Sequence, residues 1–544
     1  MWVSVLVSLG VLLPWVLGQR FGVDVAVGPD APLWASSAID RLHGVGTAVP
    51  PLYGLLSAAV AVLGVPVVVA AQGWSVAAAG VAAAIVYVGL RGVRVSVPAA
   101  AAGGLLVALH ADTQLHALMV QPDALAAASL GLLGGALVLH ADRRSPASLG
   151  AVVGASAVVV LAREHGLVLL PLIALFLVVW PPAMRGGRAV SVLALALAVE
   201  LAAGLAGAGF LRAPFDWPWL VKFDSPIQDL GKIQAGEAPS FVGVGLDSAP
   251  VGDRKWLSNL GDAYTKAMKL PPEARWEAVL RLQVARAVHI AGDLHRLALW
   301  SILAAAGYAI QRRRASFLAA VALPLSAILP TIAIWSARRH AAVLVPVAAI
   351  GVALGVEALR GVAARRTVRG GAWLSWGLLV AVAAAAWLGG HRARTMGLGW
   401  LGRKAEAGRS AAALGEAIRD IAPAGSYLVG VEHPALIHTG GLVHVYAELP
   451  WLHPSEARTA PLPAHGWRSL WLRESAAGPP GPGWEVVLEQ AGQAVYQLDP
   501  NLDAATRRCR AGDLAWRPRT MPPHAGDPVP TAVPAPGCAA GGGR

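Results

Sequence analysis

The feature that most constrains this chain is a succession of apolar blocks, nearly free of charge and separated by short Arg-bearing loops. A helix needs about 20 residues to cross the hydrocarbon core of a bilayer, and only helices and closed barrels satisfy every backbone polar group there. About eleven candidate spans begin near Trp2, Pro66, Pro98, Ala124, Leu149, Gly166, Ala189, Val288, Ser316, Ala341 and Ala372. The 544 residues are 56% hydrophobic and only 14% charged, too little charge to cover a soluble protein of this size. The expected fold is therefore an all-α polytopic membrane protein. The first block, Trp2 to Leu17, has no basic segment before it and no small-x-small cleavage site after it, so it is expected to stay as the first helix.

The net charge of +12 follows from topology. With the N-terminus in the cytoplasm, the inner loops hold Arg91 and Arg94, Arg143 and Arg144, Arg185 and Arg188, Arg312 to Arg314, and Arg360, Arg365, Arg366 and Arg369. The short outer loops after the first hold only Arg163, Arg338 and Arg339. The positive-inside rule selects this orientation, in an inner (plasma) membrane. No basic stripe interleaved with aromatics appears, so nucleic acid is not an expected partner.

This orientation places residues 19–51, 211–287 and everything after about 389 outside the cytoplasm. Residues 1–390 are expected to form the transmembrane domain, with residues 19–51 and 211–287 as its large outer loops. In the second loop, Lys255–Lys269 and Pro271–Ala287 look helical, the latter opening on Pro-Pro-Glu as helix starts do. Residues 403–500 read as a small extracytoplasmic α/β domain. An amphipathic helix over Ala405–Ile421 precedes strands near Ser426–Val431, Leu442–Ala447, Ser469–Leu472, Trp484–Leu488 and Ala494–Leu498. Residues 501–544 are Pro-, Gly- and Ala-rich towards their end and are expected to be disordered. They carry both cysteines, Cys509 and Cys538, with no CxxC pattern and with pairing left open.

Charge at the outer boundary marks the candidate chemistry, because ionisable groups at membrane depth are costly. Asp30, just beyond the first helix in Gly28-Pro29-Asp30-Ala31-Pro32, is placed to accept a proton from a nucleophile, or to cap a turn; Asp24 is a weaker candidate. Asp123 in Gln121-Pro122-Asp123-Ala124-Leu125 reads as the N-cap of the fourth span. Asp112 and His116 share a helix face four residues apart, two metal ligands without a third, so a divalent metal is compatible but unsupported. Arg163-Glu164-His165-Gly166 and Arg338-Arg339-His340 put cations on the outer side, where guanidinium groups either bind phosphate or snorkel into the interface. His433, His438, His444 and His453 match no zinc spacing.

These features in their order resemble the GT-C superfamily of integral-membrane glycosyltransferases, in particular the branch of protein O-mannosyltransferases and lipid A aminoarabinose transferases. The resemblance lies in Asp30, the helix-like run Ala31–Leu42 and Pro50-Pro51-Leu52-Tyr53; in Pro122-Asp123-Ala124-Leu125; in Arg163-Glu164-His165-Gly166; and in Arg339-His340 before Leu344-Val345-Pro346. It runs from about Met1 to Pro346, and it departs where many relatives have Asp-Glu in the first loop, since Ala31 follows Asp30.

The resemblance implies transfer of a sugar from a polyprenyl-phosphate donor to a lipid, glycan or protein acceptor on the outer face, with inversion. Asp30 would be the base. Arg163, Arg338, Arg339 and His340 would bind the donor phosphate, with Asp123, Glu164, His165 and Tyr53 in support and membrane lipids as surroundings. No organic cofactor is implied. The alternatives are a lipid or solute transporter, for which Glu200 within a span is a candidate, and a non-catalytic polysaccharide-assembly scaffold.

Overall fold

The computed structural model describes residues 1–23, 50–205, 266–422, 426–430, 443–446, 468–479 and 484–498, apart from 164, 293, 336–337 and 366–367, with isolated residues within 31–38, at 263, 435 and 438–439. In chain order the helices are α1 (Trp2–Arg20), α2 (Pro51–Ala61), α3 (Val67–Gly92), α4 (Val97–Leu109), α5 (Ala111–Ala117), α6 (Asp123–Arg143), α7 (Pro146–Ala162), α8 (His165–Val179), α9 (Gly187–Leu205), α10 (Pro272–Ala291), α11 (Leu294–Arg312), α12 (Ser316–Trp335), α13 (Arg338–Ala342), α14 (Val345–Ala364), α15 (Val368–Gly389) and α16 (His391–Ile421). Strands β1 (Ser426–Gly430), β2 (Val443–Tyr446), β3 (Arg468–Glu474), β4 (Trp484–Gln490) and β5 (Gln493–Leu498) follow. The chain divides into two compact units: residues 1–23, 72–216 and 222–402, and residues 24–71, 217–221 and 403–544.

The first unit is a bundle of apolar helices, and the chain is a multi-pass membrane protein. Among the described residues, Trp2–Arg20, Val67–Gly92, Asp123–Arg143, Val345–Ala364 and Gly371–Gly389 are long and apolar enough to cross a membrane, and shorter apolar helices accompany them. The expected span start at Val288 moves to Leu294. There α10 ends at Ala291, Gly292 turns the chain at a φ of +55°, and the apolar α11 begins anew. The expected start at Ala341 divides likewise into the short α13 and the span α14.

In lipid, helices associate through close packing rather than through hydrophobic contrast, so small residues sit where they cross. A Cβ on Gly10 of α1 would lie 2.6 Å from the Gly80 Cα of α3, and Gly89 of α3 faces Gly135 of α6. α14 packs against α4, α6, α11, α12 and α15, with Gly351 against Ser301 and Gly355 against Ala304 of α11.

The bundle has two chemically distinct ends, set about 30 Å apart by the length of α6. The end at which α6 finishes is rich in exposed arginines, among them Arg91, Arg94, Arg143, Arg312 and Arg313. There Arg143 donates to the Gly92 carbonyl at 2.7 Å, Arg314 donates to the Asp142 carbonyl at 2.7 Å, and Glu357 accepts from the Ser96 N–H at 3.1 Å while pairing with Arg360. The end at which α6 starts carries the acidic and imidazole groups described below.

In the second unit, Tyr53 of α2 is fully buried, donates its hydroxyl to the Ala71 carbonyl at 2.7 Å and meets Trp34 edge-to-face. Its sheet has the order β2-β1-β3-β5-β4, parallel through β2, β1 and β3 and antiparallel through β3, β5 and β4. β4 and β5 join through a two-residue turn at Ala491 and Gly492, both with positive φ, the hand that matches strand twist. Ala411, Leu414 and Ile418 of α16 form the core with Leu428, Leu470, Leu472 and Val495 of the sheet. The amphipathic helix expected from Ala405 is the second half of α16, which starts at His391. The disorder expected for residues 501–544, Cys509 and Cys538 included, lies outside the described residues.

Candidate functional site

The site is built from four pieces of the first unit: α5, the start of α6, the residue after α7, and α13. The sequence Leu109-His110-Ala111 makes the corner that allows it. His110 ends α4 and opens α5 with extended backbone at ψ 134°, so the chain turns into a short second helix instead of continuing. The His110 Nδ1 accepts from the Asp112 N–H at 3.3 Å and lies 3.7 Å from an Asp112 carboxylate oxygen. α5 buries Asp112, Gln114 and His116 together, and it packs on α6 and α13.

Asp123 is the first residue of α6, with Pro122 in the cap position and making no side-chain cap bond, so the N-cap expected of Asp123 is not where it stands. Its carboxylate instead pairs with a guanidinium nitrogen of Arg163 at 3.1 Å. Arg163 follows α7 with extended backbone and is 3% exposed, while Asp123 is 0% exposed. Gly166 permits this geometry, because a Cβ there would lie 2.6 Å from the Val160 backbone.

His116 senses the whole cluster. Burial pushes its pKa below the ordinary 6.5; Asp123 and Asp112 pull it up, and Arg339 and Arg163 push it down. Arg339 is half-buried and His340 is buried, both on α13. The arrangement is a set of buried carboxylates, imidazole and guanidinium groups, with Arg339 half-buried beside them, at one end of a membrane bundle. It suits an anionic ligand held by Arg and His, beside acids that keep the cations oriented.

The structure thus brings together Asp112, His116, Asp123, Arg163 and Arg339 of the residues expected from the sequence. Asp30 and Glu164 lie outside the described residues, as do the side chains of His165 and Arg338. Tyr53 belongs to the second unit, where its hydroxyl is bonded to a backbone carbonyl. Among the described residues no group of three or more His, Cys, Asp or Glu is arranged to hold a metal ion.

Sequence reasoning missed Gln114 and Arg394. Arg394 is buried on α16, donates to Gln114 Oε1, to the Leu109 carbonyl at 2.8 Å and to the Trp387 carbonyl at 3.0 Å, and lies 3.9 Å above the Trp387 ring. In the sequence it is one arginine among several beyond the last span. No local pattern distinguishes it in the sequence from its neighbours Arg392 and Arg403.

No protein-family model matches the sequence, and no curated protein matches it. Solved structures do. ArnT from Cupriavidus metallidurans bound to undecaprenyl phosphate superposes with a TM-score of 0.52 at 14% identity, over 92% of this chain and 98% of that one. The oligosaccharyltransferase AglB from Archaeoglobus fulgidus, in complex with an inhibitory peptide and a dolichol-phosphate, gives a TM-score of 0.48 at 13% identity, over 82% and 64%. The likeness to ArnT, a lipid A aminoarabinose transferase, shows that the chain has the GT-C fold expected from its motifs.

Proposed function

We propose that the protein is a membrane glycosyltransferase that moves a sugar from a polyprenyl-phosphate donor to an acceptor on the outer face of the inner membrane. The observation that carries this reading is the buried Asp123–Arg163 pair with Asp112, His116 and Arg339 around it, at the opposite end of the bundle from Arg91, Arg94, Arg143, Arg312 and Arg313. A lipid phosphate delivers its charge at that depth while its chain stays in hydrocarbon. Undecaprenyl phosphate bound to a protein of the same fold supports the same class of donor. With the arginine-rich end read as cytoplasmic, as the positive-inside rule favours, the cluster lies on the outer side.

In the reaction, an acceptor hydroxyl or amine attacks the anomeric carbon of the donor from the face opposite the phosphate. Asp30 takes the acceptor proton as the new bond forms. The bond between the anomeric carbon and the phosphate oxygen breaks, its electron pair stays on the phosphate, and the configuration inverts. Arg339, with Arg338, Arg163 and His340, stabilises the charge that develops on the leaving phosphate. Glu164 and His165 are assigned a supporting role in this set. The division of labour between residues 1–390 and residues 403–500 is catalysis in the first and acceptor recognition in the second.

The test is to purify Asp30→Asn and the unsubstituted protein in mild detergent and compare the lipids they carry by mass spectrometry. A polyprenyl-phosphate sugar enriched on the variant is the expected result and names the sugar. A polyprenyl-linked lipid on neither protein, together with transfer unchanged by the substitution, would contradict the reading.

A further inference from the structure

We propose that Arg394 is a positioning residue of the site: it pins the corner between α4 and α5 and so sets where α5 holds Asp112 and His116. The proposal rests on the reading of that cluster as the transferase site. The extended His110 interrupts the helical hydrogen bonding, leaving carbonyls at the end of α4 without helix partners. Two side chains take over. Gln114 donates to the Ala108 carbonyl at 3.1 Å, and Arg394 donates to the Leu109 carbonyl at 2.8 Å. Arg394 Nε also donates to Gln114 Oε1, so the two side chains close one network around the corner.

The other side of the guanidinium is anchored where α15 ends, by the Trp387 carbonyl at 3.0 Å and by the Trp387 ring. Gly390, in the turn just before α16, and Gly397, one turn after Arg394 on α16, let α5 come close. A Cβ on Gly390 would lie 3.1 Å from the Ala111 Cβ, and one on Gly397 would strike the Leu115 side chain. Gly18 of α1 faces Leu118, just past the end of α5. α5 is thus held on a track of small residues, and Arg394 is the polar fastener on it. Lysine lacks the planar fork needed to reach the Leu109 carbonyl, Gln114 and the Trp387 carbonyl at once. The hydrogen bonds of Arg394 go to Gln114 and to the Leu109 and Trp387 carbonyls, so it acts on Asp112 and His116 through α5.

The experiment uses the full chain with Cys509 and Cys538 changed to Ser. Leu115→Cys then reports α5, and Leu133→Cys, fully buried on α6, reports the bundle. With Arg394 in place, both cysteines should stay unreactive towards a water-soluble maleimide. Adding Arg394→Ala should raise Leu115→Cys labelling by about 10-fold or more, because Gln114 Oε1 and the Leu109 and Trp387 carbonyls lose their donor, and should leave Leu133→Cys protected. In the native-cysteine protein, Arg394→Ala should lower kcat about 100-fold with donor KM little changed, and Arg394→Lys should rescue neither kcat nor the labelling. Leu115→Cys that stays protected, or both cysteines becoming reactive together, overturns the proposal. Absence of transfer by the unsubstituted protein counts against the transferase reading instead, and the labelling contrast still decides whether Arg394 positions α5.

Discussion

Asp123 and Arg163 meet at 3.1 Å across the ends of α6 and α7, both almost sealed from solvent. A buried ion pair is a weak source of stability as a pair, but removing one partner leaves the other's buried charge less compensated, at a cost of up to about 3–5 kcal/mol. Arg163→Ala and Asp123→Ala should therefore each lower the unfolding midpoint in detergent strongly. The double variant Asp123→Ala with Arg163→Ala should cost less than the sum of the two single changes. Strict additivity in that cycle would show that the two groups do not depend on each other.

Arg339 faces the cluster from α13 and is half-buried. If it contacts the donor phosphate, Arg339→Ala should raise the donor KM about 10- to 100-fold, the loss of a charged hydrogen bond, and leave the acceptor KM nearly unchanged. Arg338→Ala should act in the same direction. Initial rates with each substrate varied in turn separate the two; equal loss for donor and acceptor would place these arginines elsewhere.

His116 supplies a pH signature. Its pKa in the folded protein is below 6.5, because burial opposes the charged form more than Asp123 and Asp112 favour it. The unfolded chain then takes up a proton that the folded chain refuses, so stability is full above about 6.5 and falls as pH drops below that value. His438, whose pKa burial also lowers, contributes a slope of the same sign. Unfolding midpoints measured from pH 8 to pH 5 should therefore decline, and His116→Gln should flatten part of that decline. An unchanged slope in His116→Gln would assign the whole of it to other groups.

Gly166 is fixed by space. An added methyl would lie 2.6 Å from the Val160 backbone, and backbone cannot swing aside as a flexible side chain does. Gly166→Ala should force α8 away from α7 next to Arg163, costing about 1–3 kcal/mol. A thermal-shift assay checks this, and a neutral result would mean that the α7–α8 turn relaxes freely.

Asp30→Asn should reduce transfer by about 100- to 10,000-fold while leaving expression and the unfolding midpoint intact, as loss of a general base does. Turnover at the level of the unsubstituted protein would remove Asp30 from the mechanism.

Much of the fold is written in hydropathy. The starts of α6, α8 and α12 coincide with the expected span starts to within a residue, because a change from polar to apolar at a helix start leaves little freedom. The five strands show equally well, through runs such as Trp484–Gln490 that fit a strand and not a helix. Other features were hidden. The glycine break after Ala291 separates α10 from α11 inside what reads as one run, and nothing in hydropathy distinguishes a bend from a continuous helix. The motif residues Asp123, Arg163 and Arg339 stood out because charge at a membrane boundary is costly, yet the pairing of Asp123 with Arg163 is a long-range fact that no local pattern encodes. Arg394 stayed invisible for the opposite reason: beyond the last span an arginine looks unremarkable, and only packing shows that this one is buried.

Binding of undecaprenyl phosphate tests the central claim most directly, since the sugar-free product needs no knowledge of the sugar or the acceptor. Native mass spectrometry of the purified protein, titrated with undecaprenyl phosphate beside phosphatidylglycerol, measures it. The account predicts one bound molecule in clear preference to the phospholipid, weakened about 10- to 100-fold by Arg339→Ala. Equal binding of both lipids, unaffected by Arg339→Ala, would contradict it.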